Sequence, residues 1–344
     1  MSDLSMPNYL KLLYNSIVLF IRFCLLSCMY PQTSDIYTME DLISNSQGRL
    51  IPAQATQFPG SFAPDLRRDT RKYVTSTKWQ RVLKQYLTDG WGDINIWKSA
   101  FIEFVGETAL CYLSGMIDIV IGNFHTTQPA AYVGVTNVFL ISLFIFAMAP
   151  SSGGHVNPVI TFATMMAGLT GFSRGILYLI AQTAGAATAG ALIRGSLGGK
   201  LATAFQGGGC LLDTKVLEVG QAYLIESTTT FIMLFLAFGV GLDPRCGQMF
   251  GPKMGPLLVG CVLGLTAFST IGLAEGFPGA NMNPARCFAF AVARSDFKHQ
   301  WVWWVGPITG TMAQSIVYHI APPYHREQAL ERAASKVQGS LGKV

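Results

Sequence analysis

The sequence predicts an all-α membrane protein with six transmembrane helices and two half-membrane helices in an inverted repeat. Hydrophobic residues make up 50% of the chain and charged residues only 12%, whereas a soluble domain has about 25% charged residues. A surface that faces lipid is the simplest reason for so few charges. Six apolar segments of about 20 residues are long enough to cross a bilayer core of roughly 30 Å. Two shorter apolar segments, each starting with Asn-Pro, complete the pattern.

The six long segments define the crossings of the membrane. Eleven of the 24 Lys and Arg residues precede residue 99, and four follow residue 322. Short basic stretches beside apolar segments lie in the cytoplasm, so both termini are expected there and the number of crossings is even. Acids are mixed with this positive charge, and no nucleic-acid partner is expected. The segments lie at 99–121, 130–149, 174–194, 220–241, 255–274 and 301–321.

The two short apolar segments predict a permeation path. They run over 157–168 and 283–293, and as helices they would each be about 17 Å long, half the hydrocarbon thickness. One follows the second long segment and the other follows the fifth, which divides the region into repeats 99–200 and 220–322. Because each repeat has three crossings, an odd number, the second repeat must lie in the membrane with the opposite orientation to the first. Short segments at matched positions of inverted repeats indicate a site near the midplane.

Each short segment begins with residues that favour a helix start, Asn157-Pro158-Val159 and Asn283-Pro284-Ala285. Asn is a strong N-cap and Pro is favoured at the first helical position. The residues before them, 153–156 and 279–282, are expected to be extended and to line a water-filled path. Two facing helix N-termini would repel cations, and the Asn amides could donate hydrogen bonds to a passing solute.

These motifs resemble those of the aquaporin (major intrinsic protein) family, over residues 99–322. Glu103 and Glu226 resemble the glutamates of that family, and the resemblance implies that they brace the pore loops. Glu107 and Asp118 are further acids in the first segment, and the sequence leaves open whether they face the pore, a subunit contact or the membrane interface. The family also implies a homotetramer with one pore in each subunit.

Within that family, the chain resembles the X intrinsic proteins (uncharacterised intrinsic proteins) of plants and fungi. Val159 stands where most relatives have Ala, Cys287 follows the second motif, and Cys210 lies in a GGGC stretch. The seven cysteines are scattered, and neither a metal site nor a disulfide framework is predicted. Cys210 and Cys287 could be redox gates, although buried cysteines are usually inert packing groups.

The resemblance also implies a selectivity filter near the outer mouth. Counting back from the motifs gives Asn137, Ile271 and Ala280, and Arg286 follows the second motif; Thr136 or Val138 could replace Asn137 if the helix shifts. This set has neither histidine nor aromatic residue, so a wide, amphipathic constriction is expected. Such a constriction favours glycerol, urea or hydrogen peroxide, with water as a variable addition. Two features argue against glycerol as the solute. Glycerol facilitators of the family often have Asp where this chain has Cys287, and the pair Trp303-Trp304 resembles the last segment of water channels.

Residues 1–98 are expected to form a cytoplasmic extension and 323–344 a cytoplasmic tail. Residues 9–30 could be an interfacial helix, a weak signal-like segment or sequence upstream of the true start. A polar stretch over 31–75 is typical of disorder, and 76–98 predicts an amphipathic lead-in.

A passive channel in the plasma membrane, or alternatively an internal one, is the predicted function. Its partners would be water, small neutral solutes and membrane lipid, with no cofactor, metal or catalytic residue. An intramembrane enzyme using His155 would leave the two Asn-Pro motifs unexplained. A gated or closed-pore structural protein on the same scaffold is the remaining alternative.

Overall fold

A computed structural model describes residues 84–243, 253–274 and 276–320, and every long element among them is an α-helix. The terminal segments 1–83 and 321–344, with the expected signal-like, disordered and tail regions, lie outside the described residues. The helices are α1 (Ile94–Asn123), α2 (Pro129–Met148), α3 (Pro158–Met166), α4 (Phe172–Ala204), α5 (Val219–Ala237), α6 (Gly255–Phe268), α7 (Pro284–Arg294) and α8 (Val302–Ile320).

The helices start where the sequence supplies caps. The Asp93 carboxylate accepts a hydrogen bond from the Asn95 backbone at the start of α1, at 2.8 Å. Glu218 and Gln221 form a capping box at the start of α5. Proline occupies the first turn of α2 and α6 as well as of the two short helices, where its missing N–H costs nothing.

Six of the helices cross the membrane and two reach only halfway. By length and composition, α1, α2, α4 and α5 with its extension to Leu242 are long and apolar enough to span. Helices α6 and α8, of 14 and 19 residues, are assigned as the fifth and sixth crossings because α6 packs on α2 and α8 packs on α5, two of the helices that span. Helices α3 and α7 have 9 and 11 residues, too few to cross a bilayer core of roughly 30 Å.

Three boundaries differ from the sequence prediction. Helix α1 begins at Ile94, so the last residues of the expected lead-in belong to the first crossing. Helix α4 continues to Ala204 but breaks at Gly198, whose φ of 76° is left-handed. Helix α6 ends at Phe268 rather than 274, because the chain turns there through Thr270 and the left-handed Gly272.

The helix contacts repeat between the two halves of the chain. Helix α1 packs on α4 as α5 packs on α8, and α2 packs on α6 across the boundary between the halves. Each short helix packs on the last helix of the opposite half, α7 on α4 and α3 on α8. This exchange is the contact pattern of two inverted repeats, and it brings the N-termini of α3 and α7 together.

The polarity of the molecule is reversed relative to a soluble protein. Large apolar side chains such as Phe101, Leu143 and Leu265 are more than 60% exposed, whereas Glu103, Glu107 and Glu226 are fully buried. Glycines allow the helices to approach closely: a methyl group added at Gly310 of α8 would lie 2.2 Å from the Ser227 carbonyl of α5. Lipid therefore solvates the outside, while polar groups line the interior.

Candidate pore and outer constriction

Two asparagines join the ends of the short helices at the centre of the molecule. The Asn157 Oδ1 atom accepts a hydrogen bond from the Val159 backbone at 2.9 Å, and Asn283 Oδ1 accepts from Ala285 at 3.0 Å. Each amide Nδ2 donates across to the other loop: Asn157 to the Met282 carbonyl at 3.0 Å, and Asn283 to the Val156 carbonyl at 3.1 Å. The two helix N-termini are thereby fixed against each other.

The residue immediately before each asparagine departs from the extended backbone that the sequence analysis expected over 153–156 and 279–282. Val156 has φ 37° and Met282 has φ 57°, and non-glycine residues rarely adopt left-handed values. The turn directs the Val156 carbonyl at Asn283 and the Met282 carbonyl at Asn157. Such conformations persist only where neighbouring groups hold them.

Two buried carboxylates hold the left-handed turns. Glu103 accepts from the backbone of His155 at 3.0 Å and of Val156 at 2.7 Å. Glu226 accepts from the backbone of Asn281 at 2.7 Å and of Met282 at 3.1 Å. The two glutamates therefore make equivalent contacts in the two halves. Glu103 also accepts from Gln182 Nε2 at 2.9 Å and from Ser152 Oγ at 2.6 Å.

Helix α1 carries a polar stripe that follows the pore loops along its length. Its members recur every three or four residues on one face, the spacing at which helical side chains are neighbours. Glu107 accepts from Asn283 Nδ2 at 3.2 Å and from Cys111 Sγ at 3.1 Å. The α1 stripe consists of Glu103, Glu107, Cys111, Ser114 and Asp118.

The C-terminal end of the α1 stripe binds the guanidinium of Arg286. Asp118 forms an ion pair with Nη2, and Ser114, one turn earlier, accepts from Nε. Asn281 accepts from Nη1 at 2.9 Å, and the guanidinium lies over the ring of Phe290, 4.9 Å from its centre. Sequence reasoning left Asp118 unassigned and did not single out Ser114, although their spacing of four on α1 was the available signal.

A disulfide joins the loop after α4 to the start of α7, where the sequence analysis predicted no disulfide framework and left the role of both cysteines open. Cys210 and Cys287 are bonded, with their Cα atoms 5.3 Å apart, and Asn281 Nδ2 donates to both sulfurs. Spacing along the chain gave no sign of the pair because 77 residues separate the two cysteines. The bond lies directly beside Arg286, so it secures the same outer region as the α1 stripe.

Two of the other expected filter residues, Ile271 and Ala280, lie close to each other. Ile271 and Ala280 pack in one apolar cluster with Met282, but Ile271 follows the end of α6 instead of lying within it. The Ala280 backbone donates to Thr270 Oγ1 at 3.0 Å. Asn137 is half-buried on α2, one turn before Leu140 and Ile141, which pack near Val156.

The alternatives to Asn137 have contacts of their own. Val138 contacts Gly264 of α6, as a methyl group added to that glycine would lie 2.4 Å from Val138 Cγ2. The Thr136 hydroxyl donates to the Tyr132 carbonyl of its own helix at 2.8 Å. Thr136 and Val138 thus have contacts of their own, and the place of Asn137 in the filter stays a prediction.

His155 is packed and hydrogen-bonded, as a structural histidine would be. Its Nδ1 lies 3.1 Å from Thr161 Oγ1, and its ring meets Tyr178 edge-on, with centroids 5.3 Å apart. Within the described ranges, no group of three or more His, Cys, Asp or Glu side chains is arranged to hold a metal ion.

Comparison with known proteins locates this arrangement in a family. The family profile described as Major intrinsic protein matches residues 91–318. Aquaporin TIP1-1 of Zea mays is 30% identical over 68% of this chain and 90% of that protein. The PIP-type aquaporin of Atriplex canescens is 30% identical over 72% of this chain and 85% of that protein.

A solved structure shares the fold. The X-ray structure of the aquaglyceroporin from Plasmodium falciparum matches with a TM-score of 0.53 and 20% identity, covering 66% of this chain and 98% of that one. At this identity the likeness concerns the fold alone. The region matched by the family profile contains almost all of α1 to α8.

Proposed function

Since this chain belongs to the major intrinsic protein family and is a passive membrane channel for water and small solutes, we propose that it conducts glycerol, urea and hydrogen peroxide together with water. The main support for a channel of this kind is that the N-termini of α3 and α7 meet through Asn157 and Asn283. Each N-terminus carries about half a positive charge. A cation in this position would lose hydration without compensation, whereas a neutral solute would not.

The asparagines can also orient the solute. Among the described residues, Asn157 Nδ2 has one protein partner, the Met282 carbonyl, and its second N–H is available to a hydroxyl or a water. Asn283 Nδ2 uses both of its N–H groups, on Val156 and Glu107. The donor presented to the path would therefore come from the first half of the molecule.

The proposed filter consists of Asn137, Ile271, Ala280 and Arg286. Support comes from the common cluster of Ile271 and Ala280 and from the half-buried position of Asn137 on α2. Two apolar side chains and one small amide would leave room for a three-carbon polyol, and the arginine adds a barrier to cations. Glu226 would maintain the loop that carries Ala280 and leads into Arg286, and Glu103 would maintain the corresponding loop of the first half.

The orientation proposed places both termini in the cytoplasm and the Cys210–Cys287 disulfide on the opposite side. The loop after α4 lies three crossings from the N-terminal side, hence outside the cytoplasm. Disulfides persist in such oxidising surroundings and are rare in the cytosol, which supports this assignment. A homotetramer of X intrinsic type in the plasma membrane completes the proposal; an internal membrane is the alternative.

Stopped-flow light scattering on reconstituted vesicles tests the proposal through a graded series at Ala280. Wild type should pass both glycerol and water. Ala280→Val should slow glycerol by roughly tenfold, since the cost of one misfitting group is about 1–3 kcal/mol, with water slowed less. Ala280→Trp should block glycerol.

Ala280→Ser, which adds a single atom, is the matched control and should keep glycerol flux near that of wild type. Loss of glycerol flux with retained water flux also shows that a variant is folded. Water flux without glycerol flux in the wild type would contradict the wide filter. Absence of both fluxes would favour the gated or closed-pore structural protein.

A further inference from the structure

Asp118 is an acid placed directly against the guanidinium of the proposed filter. Its carboxylate pairs with Arg286 Nη2, while Ser114 takes Nε and Asn281 takes Nη1. Every nitrogen of the guanidinium therefore has a protein partner, and two of the three partners come from α1. The side chains of Arg286 and Asp118 remain 17% and 18% exposed, so the pair still faces open space.

We propose that Asp118 is a positioning and specificity-determining residue, which holds Arg286 against α1 and neutralises its charge in the outer constriction. This inference rests on the proposed function, because it assigns a further residue to the same filter. An arginine held by a carboxylate and a hydroxyl on one helix cannot swing across the path. The constriction then keeps a fixed width and presents a nearly neutral pair instead of a lone cation.

The Arg286–Asp118 pair would select among ions and solutes differently from an unpaired arginine. With the pair intact, Arg286 contributes less to the exclusion of cations than an unpaired arginine would, and the helix N-termini at Asn157 and Asn283 supply most of it. Neutral polyols meet fewer free donors at the mouth and are not retained there. Asp118 thus shifts the channel towards larger neutral solutes and away from a tight, strongly positive filter.

Single and double substitutions that remove the charges of Asp118 and Arg286 test the inference on the full-length chain in vesicles. Asp118→Asn should lower glycerol permeability by roughly three- to tenfold relative to water, since the freed guanidinium can bind solute and narrow the mouth. Asp118→Glu, which keeps the charge, should restore the ratio of the two permeabilities. If Asp118 had only a structural role, Asp118→Glu would not restore the ratio of glycerol to water permeability.

Sodium leak, measured on variants at positions 118 and 286, gives a second test. Arg286→Gln leaves an unpaired carboxylate at the mouth and should raise sodium leak about tenfold or more, because an opposite charge a few ångströms away strongly attracts a cation. The double variant, Asp118→Asn with Arg286→Gln, should return to the low leak. Equal leak in the single and double variants would overturn the proposal.

Chemical labelling separates this inference from the proposed function. Butanedione, which reacts with accessible arginines, should modify Arg286 at least about threefold faster in Asp118→Asn than in wild type, as a lost charge-assisted bond predicts. Mass spectrometry of the labelled peptide measures this rate without any flux. Faster labelling in a protein that passes no glycerol would refute the proposed solutes but keep the anchoring role. Unchanged labelling together with an unchanged permeability ratio would refute the anchoring role.

Discussion

The disulfide between Cys210 and Cys287 makes the sharpest prediction about stability. Replacing either cysteine by alanine opens a loop closed across 77 residues. The chain-entropy relation gives about 4.5 kcal/mol for a loop of that length. Helices that stay in the membrane already restrict the denatured chain, so we expect a smaller loss, about 2–4 kcal/mol. At roughly 2–4 °C per kcal/mol for a domain of this size, the unfolding temperature should fall by about 5–15 °C.

Thermal unfolding in detergent, followed by tryptophan fluorescence, measures this loss. Cys210→Ala, Cys287→Ala and the double variant should share one unfolding temperature, because each removes the same bond. The matched control is Cys261→Ala, which replaces an exposed free cysteine and should leave the unfolding temperature unchanged. Additive losses in the double variant would show that the two cysteines act separately, and the reasoning would then be wrong.

Three further predictions concern packing, the pore loops and the filter. Gly190→Ala should cost about 1–3 kcal/mol by overpacking, since its methyl group would lie 2.3 Å from the Ala289 carbonyl. Gly195→Ala on the same helix meets nothing within 4 Å and should gain up to about 1 kcal/mol; equal unfolding temperatures for the two would contradict the α4–α7 contact. Glu226→Gln should cost about 1–3 kcal/mol, because its new NH₂ group faces a buried N–H donor, and glycerol flux should fall with it. Ile271→Phe should reduce the ratio of glycerol to water permeability at least about fivefold, and an unchanged ratio would remove Ile271 from the filter.

The helices and their order could be predicted from the sequence because lipid imposes simple length rules. A stretch of about 20 apolar residues is required for a crossing, and Asn followed by Pro before an apolar run favours a helix start. The ends of helices were less predictable. Helix α6 ends early through contacts of its own turn, and Gly198 interrupts α4 without ending the apolar pattern.

The partners of polar side chains could not be predicted because they depend on the fold in three dimensions. Glu107 and Asp118 showed only that acids occur in an apolar segment. Their contacts with Asn283 and Arg286 join residues more than 160 positions apart. The disulfide is a similar case, since nothing in the spacing of the cysteines selects Cys210 and Cys287. The left-handed backbone of Val156 and Met282 could not be predicted from the sequence either, because valine and methionine disfavour that conformation.

Glycerol flux and proton leak, recorded in the same vesicles, test the central claim most directly. Light scattering reports the entry of glycerol, and a pH-sensitive dye inside the vesicles reports protons. The meeting of the two helix N-termini at Asn157 and Asn283 predicts rapid glycerol entry with proton leak no greater than in protein-free vesicles. Proton leak that rises together with glycerol flux would contradict the account.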